Sequence, residues 1–305
     1  MKRVLKWIGI VLGAVLALFV LLIAGVYTKS RIEFTKKYQT PDTPLAIPSD
    51  AGSIERGRYL VGVLCEECHG DDLGGNPDFL NDATLGRIST PNITGGQGGI
   101  LRELSDADLR RVFLHGVKPD GTSVFLMPSG DFRQMSDADL GAVLAYLKSA
   151  PAVDRETVEP HVKLTFLGNV MYGAGALGNL LRAGQIAAAP RPSEWPERGP
   201  TAEYGAYLVQ INSCRDCHGA RFNGGLSGEP GAPPAPNLTP GGELRAWSEA
   251  DFMTTLRTGV TPSGFEMKKM PWQYKGQMSD EDLSAIWAYL SSLPALPTNA
   301  GRIEQ

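Results

Sequence analysis

The sequence predicts an all-α fold, with two tandem copies of one small helical domain behind an N-terminal transmembrane helix. Three observations predict it. A long charge-free run opens the chain, five sequence blocks recur in one order, and apolar residues return at helical spacing behind serine caps. The chain has 305 residues, too many for one small domain, and its 36 glycines and 22 prolines point to compact, turn-rich units.

The first element is the anchor. Lys2, Arg3 and Lys6 precede residues 7–27, WIGIVLGAVLALFVLLIAGVY, which carry no charge. At about 1.5 Å per residue, that run spans a hydrocarbon core of roughly 30 Å. A cleavable signal usually has a shorter apolar core and a small-residue cleavage site. Neither is clear here, so residues 1–28 are expected to be retained, with a removed signal as the alternative. The basic flank stays inside, which makes this a single-pass anchor in the cytoplasmic membrane with residues from about 28 onward on the periplasmic side. Residues 29–52 are expected to be a linker.

The repeat comes next, over residues 53–150 and 201–295. GRYLV (57–61) returns as GAYLV (205–209), and TPNIT (90–94) as APNLT (235–239). LSDADLRRVFLHGV (104–117) returns as WSEADFMTTLRTGV (247–260), and QMSDADLGAVLAYLKS (134–149) as QMSDEDLSAIWAYLSS (277–292). Ser105, Ser136, Ser248 and Ser279 each stand three residues before an aspartate, the pattern of a helix N-cap. Behind the caps, Leu140, Val143, Leu144 and Leu147 recur at helical spacing, as do Leu283, Ile286, Trp287 and Leu290. GRYLVGVLC and GAYLVQINSC read as short helices, and the Gly/Pro-rich remainder as loop without a convincing strand.

Residues 151–200 are expected to be a linker, and 296–305 a tail. Within the linker, LTFLGNVMYGAGALGNLL (164–181) is uncharged. A second crossing there would place the two repeats on opposite sides of the membrane, so an interfacial or domain-packing helix is the better reading. The net charge of −4 is uneven: +4 over residues 1–52, −5 over 53–150 and −3 over 201–295. Acidic globular parts argue against nucleic acid as a partner.

The fifth block carries the chemistry. LCEECHGDDLGG (64–75) and SCRDCHGARFNGG (213–225) hold the only four cysteines and two of the four histidines. Cys-x-x-Cys alone fits a redox dithiol, half a zinc site or a haem attachment. A thioredoxin-like dithiol would need strands, and a zinc shared by both pairs would have to bridge two separate repeats. The added histidine favours haem: Cys65 and Cys68, and likewise Cys214 and Cys217, would bond the vinyl groups, and His69 and His218 would ligate iron. The expected cofactors are therefore two covalently bound haem c groups.

With these blocks in view, each half resembles a class I cytochrome c, and the whole resembles membrane-anchored bacterial dihaem c-type cytochromes. The resemblance covers both repeats and leaves out the anchor and the linker. It implies that Gly57 packs against Tyr146, and Gly205 against Tyr289. It implies that Pro91 and Pro236 offer carbonyls to the second nitrogen of the proximal histidines. It also implies that Met127 and Met270, each followed by proline, supply the sixth iron ligands. Met135 and Met278 precede capping serines and read as core packing. Met267 aligns with Val124, and His115 with Thr258, so neither can serve both copies; His115 reads as a surface or loop residue, with a bis-histidine first site as the alternative. His161 has no evident role. Trp247 and Trp287 read as core, or as rings packed against haem, and Asn92 and Asn237 as loop-fixing residues.

Iron held by His and Met has no open position, so the resemblance implies one-electron transfer rather than catalysis. The partners would be redox proteins (a membrane dehydrogenase, an oxidase or another cytochrome) and membrane lipid through residues 7–27. A dihaem enzyme such as a peroxidase with one open haem is the alternative, and a structural subunit of a larger complex is another. Glu66, Glu67, Asp71 and Asp72 surround the first motif, whereas Arg215, Arg221, Lys268 and Lys269 flank the second, so partners of different charge are expected at the two sites.

Overall fold

A computed structural model describes residues 2–186, 191–226 and 233–303. Residues 187–190 of the expected linker and 304–305 of the expected tail lie outside the described residues. Helix α1 (Lys2–Thr35) runs eight residues beyond the charge-free stretch. It continues because its C-terminal end has partners: Phe34 packs between Phe125 and Tyr172, with ring centroids 5.6 and 5.2 Å away.

The first repeat folds as α2 (Ala51–Leu64), α3 (Glu66–His69), α4 (Asp106–His115), α5 (Ser129–Phe132) and α6 (Asp137–Ser149). Two short helices follow, α7 (Phe166–Gly173) and α8 (Ala183–Ile186). The second repeat supplies α9 (Ala202–Ile211), α10 (Cys214–His218), α11 (Glu249–Thr258), α12 (Trp272–Lys275) and α13 (Asp280–Ser292). All four serines cap as expected, each accepting from the aspartate N–H three residues on.

Within each repeat the first and last helices cross at a glycine. A Cβ on Gly57 would lie 2.0 Å from the Ala142 carbonyl oxygen and 2.7 Å from Cβ of Tyr146. The same atom on Gly205 would lie 1.9 Å from the Ala285 oxygen and 2.8 Å from Cβ of Tyr289. Only glycine allows the backbones this close. Around the crossings, Leu60, Val61, Leu140 and Leu144 are buried in one repeat, as are Leu208, Ile211, Leu283 and Leu290 in the other. Each such side chain contributes about 1.5–3 kcal/mol on leaving water. Met135 and Met278 are fully buried here, as expected, and Trp247 and Trp287 pack against the same core.

Two expectations need correction. The loops do contain a sheet: β1 (Leu80–Asp82), β2 (Gly86–Ile88) and β3 (Val162–Leu164) are antiparallel in that order, with Leu80 opposite Ile88 and Arg87 opposite Lys163. Strands of three residues are too short to show an alternating pattern. His115 is not a surface residue. The chain after α1 folds back over α4, and Nε2 of His115 lies 3.3 Å from Oγ1 of Thr43.

The repeats dock on each other reciprocally. Tyr59 of the first donates to Asp282 Oδ2 (2.6 Å) and accepts from the Ser279 N–H (3.0 Å) of the second. Tyr207 of the second donates to Asp139 Oδ2 (2.7 Å) and accepts from the Ser136 N–H (3.2 Å) of the first. Each first helix thus caps the partner repeat's last helix. The equivalent positions Arg56 and Tyr204 meet directly at 3.0 Å, which marks a local pseudo-two-fold axis. Arg56 also forks onto Asp139 (2.9 and 3.1 Å), and Arg198 reaches the same carboxylate at 3.0 Å. Burial alone would raise the pKa of Asp139. The Arg56 guanidinium, the Tyr207 hydroxyl and Arg198 outweigh it and hold the carboxyl below its ordinary range.

Candidate functional site

The cysteine motifs are helix-borne in both repeats. After α2, Cys65 N–H still donates to the Val61 carbonyl, and α3 then carries Glu66 to His69. In the second repeat Ser213 adopts φ 54°, and α10 carries Cys214 to His218. Each motif ends on a left-handed glycine, Gly70 and Gly219, both with φ 82°. Past them, Leu73 (φ 60°) and Phe222 (φ 58°) hold strained conformations at matching positions. Their carbonyls accept from Ile93 and Leu238, at 2.9 and 2.7 Å, and so draw the proline loop back onto the motif. Nothing in the residue types Leu and Phe announced this role; the fixed offset from each motif was the available signal.

The loop arrives with its carbonyl in place. Nδ1 of His69 lies 3.0 Å from the Pro91 oxygen, and Nδ1 of His218 lies 3.1 Å from the Pro236 oxygen. A carbonyl only accepts, so each imidazole carries its proton on Nδ1 and leaves the Nε2 lone pair free for a metal. Burial holds both histidines below the usual imidazole range, which keeps them neutral. Asn92 fixes the loop from the far side: it donates to the Val153 carbonyl (2.7 Å) and accepts from the Thr94 N–H (2.9 Å). Asn237 repeats this with Leu296 (2.8 Å) and Thr239 (2.9 Å). The chain that follows each last helix therefore returns to brace its own repeat. Gly75 and Gly224, at φ +83° and +75°, sit against this loop where a Cβ would meet the Thr90 and Ala235 carbonyls.

Met127 and Met270 occupy matching places as well. Both are half-buried against the core, and the prolines after them share a backbone conformation, with ψ 55° and 57°, at the N-termini of α5 and α12. Met267 is half-buried and has no counterpart of its kind. His161 is tied up elsewhere, with Nε2 2.7 Å from Glu159 and Nδ1 3.1 Å from Ser89.

The thiols do not fit the other two readings. Burial pushes Cys65 up to about 12, and Cys68 and Cys214 up to about 11. A redox dithiol works through a depressed thiol pKa, the opposite of this. Among the described residues, no group of three or more His, Cys, Asp or Glu is placed to hold a metal, as a shared zinc would require. A porphyrin held by two thioethers and one imidazole per repeat fits these donors.

Both motifs face one seam. Lys275, on α12 of the second repeat, donates to the Val63 carbonyl of the first at 2.9 Å. Its charge acts on Cys65 and Cys68 of the first motif and on Cys214 of the second. From the other side Asp131, on α5, accepts from the Ser213 hydroxyl at 2.8 Å and from the Gln210 amide. Burial pushes Asp131 up to about 6, and the charge of Asp216 adds to this. The charge contrast read from the sequence is softened by the fold. Asp72 is paired with Arg155 (2.6 Å), Asp71 accepts from Tyr274 (3.2 Å), and Arg215 donates to Gln210 (2.9 Å).

Two helical domains, each with an attachment motif, a proline-braced histidine and a Met-Pro helix start, define a c-type cytochrome. The sequence model of the family described as cytochrome c oxidase, cbb3-type, subunit III matches residues 52–147 and 200–290, and the chain belongs to that family. It is 26% identical to the fructose dehydrogenase cytochrome subunit of Gluconobacter japonicus, over 90% of this chain and 58% of that protein. It is 27% identical to a diheme cytochrome c-type of Cereibacter sphaeroides, over 80% of this chain and 87% of that one. It is also 27% identical to the cytochrome c subunit of the quinone alcohol dehydrogenase of Gluconacetobacter polyoxogenes, over 86% of this chain and 59% of that protein. The chain thus spans 58% and 59% of the lengths of these two dehydrogenase relatives. Haem c is the cofactor of such a cytochrome.

Proposed function

We propose that this chain is a dihaem electron-transfer protein of the cytoplasmic membrane, working on the periplasmic side as a one-electron relay from a dehydrogenase partner. One haem c is bound by Cys65 and Cys68 and ligated by His69 and Met127. The other is bound by Cys214 and Cys217 and ligated by His218 and Met270. A haem held by these residues would supply one-electron chemistry. The observation that carries the reading is the doubled contact of histidine Nδ1 with a proline carbonyl, at 3.0 and 3.1 Å. It orients both rings with the Nε2 lone pair free, and the half-buried Met127 and Met270 at the starts of matching short helices support the second ligand.

The shared seam supports a relay within one molecule, because residues beside both motifs make contacts across it: Val63 accepts from Lys275 at 2.9 Å, and Ser213 donates to Asp131 at 2.8 Å. The reciprocal tyrosine caps hold that seam closed. The basic flank at Lys2, Arg3 and Lys6 supports the periplasmic side, and the names of two dehydrogenase relatives support the class of donor.

A redox titration of the purified full chain, followed by visible and electron-spin-resonance spectra, tests the reading. It should count two haems, both low-spin. Met127→Ala or Met270→Ala should each turn one iron high-spin and lower its potential. High-spin iron in the unaltered chain, unchanged spectra in both variants, or a denatured polypeptide without attached pigment would each overturn it.

A further inference from the structure

We propose that α7 is a second membrane-contact element, lying in the lipid headgroup region beside the outer end of α1. The proposal rests on the reading of α1 as a retained anchor. Phe166 and Leu167 of α7 are 64% and 49% exposed. Val170 and Met171 are half-buried and Ala174 is exposed, so helical spacing collects an open apolar stripe on one side. The whole stretch 164–181 carries no charge that would resist this setting.

The opposite side of α7 is locked to α1. The Ser30 hydroxyl donates to Asn169 Oδ1 at 3.0 Å, and both residues are buried. Asn169 in turn donates to the Thr165 carbonyl at 2.8 Å. Lys29 reaches the Gly173 carbonyl at 3.2 Å, and a Cβ on Gly173 would lie 2.1 Å from the Val26 oxygen. Phe166, the first residue of α7, is shared between the two sides: open to the surroundings on one edge, it also stacks on Tyr27 with centroids 5.3 Å apart. Every one of these partners on α1 falls between residues 26 and 30.

That interval sets the depth. The charge-free run ends at Tyr27, roughly 30 Å along the helix from Trp7, so residues 26–30 mark the outer boundary of the hydrocarbon. The Tyr27–Phe166 stack then sits where interfacial aromatic belts form. One turn deeper on the α1 face that meets α7, four residues before Val26, stands Leu22, which is itself exposed and apolar. Lipid fits this face on continuity alone: a soluble partner would have to dock half on protein and half against the bilayer. The chain beyond α1 is also tied to the first repeat, since the Tyr38 N–H donates to the Gly121 carbonyl at 2.9 Å. Anchor, collar and first domain therefore tilt together, and the membrane sets which way the first motif faces.

The test uses the haem-loaded full chain in vesicles of phosphatidylethanolamine and phosphatidylglycerol. The native cysteines are tied in thioethers, so a nitroxide label reports only an introduced thiol. Three variants are labelled singly: L167C on the stripe, V20C within α1 as the lipid reference, and A138C, exposed in the first turn of α6, as the water reference. Haem is kept reduced, and the visible spectrum checks loading. The L167C label should be relaxed more by oxygen than by a water-soluble nickel chelate, as V20C is and A138C is not. An L167C label that behaves like A138C beside a lipid-exposed V20C removes the collar and leaves the anchor standing. A label shielded from both reagents means that protein covers the stripe, which also overturns the proposal. A water-exposed V20C removes the anchor and the collar together.

Discussion

Replacing Gly57 by alanine puts one methyl group where the crossing of α2 and α6 has no room. The new Cβ would stand 2.0 Å from the Ala142 oxygen and 2.7 Å from Cβ of Tyr146, both fixed to backbone. A relaxed carbon–oxygen contact is about 3.3 Å, so the helices must part by roughly 1.3 Å at their closest point. Neighbours such as Leu60, Val61 and Leu144, now buried, would lose contact on both sides of the crossing. Overpacking of this kind costs about 3 kcal/mol. Gly52 supplies a control within the same helix: it is exposed, and its Cβ would meet nothing nearer than 3.4 Å. Gly52→Ala should be neutral or stabilise by up to about 1 kcal/mol through helix propensity. Urea unfolding followed by far-ultraviolet circular dichroism should show the G57A midpoint lower by about 1 M. A G57A midpoint no lower than that of G52A would refute the argument that glycine is required by the approach of the two backbones.

Tyr207→Phe removes the donor that Asp139 holds at 2.7 Å inside the seam. It should cost about 1.5–3 kcal/mol in urea, and Tyr59→Phe should match it, because Tyr59 makes the same contact to Asp282 at 2.6 Å. A cost confined to one of the two would break the reciprocity. Asp131, pushed up to about 6, binds a proton more tightly in the fold than in the unfolded chain. Its contribution is therefore most favourable below the ordinary carboxyl range and is lost as pH rises through about 6. Asp131→Asn should stabilise the protein by about 1 kcal/mol at pH 8 and flatten the pH dependence of the urea midpoint between about 4 and 6. A variant less stable than the parent at pH 8 would show that the ionised carboxylate is well accommodated.

The two Cys-x-x-Cys-His motifs and the four serine caps were readable before any fold was seen, since each is written in local spacing and then written again, whereas the helix-crossing glycines came only with the family resemblance. Duplication set aside Met267 and His115, which have no repeated counterpart, but Met135 and Met278 recur as well; the Met-Pro pairs of the family resemblance are what pointed to Met127 and Met270. The three-residue strands escaped notice because pairing partners at 86–88 and 162–164 are set by the fold, not by local pattern. His115 was misplaced because its cover, Thr43, comes from the chain leaving α1. The seam was hidden in plain view: Asp139 and Asp282 look like cap residues, yet their carboxylates turn away to the tyrosines of the opposite repeat. Whether a carboxylate completes its own cap or crosses to a neighbour depends on which surface arrives opposite it.

That seam has the symmetry of a homodimer built inside a single polypeptide. An isologous contact satisfies itself: the face used by one half is the face used by the other, and after pairing neither is left over. Covalent tethering raises the local concentration of each half for its mate far above that of any free competitor. The arrangement therefore resists open-ended assembly through these surfaces, and lets the halves diverge without losing one another. Arg56 opposite Tyr204 shows such divergence on the axis itself, where a true dimer would be forced to set like against like.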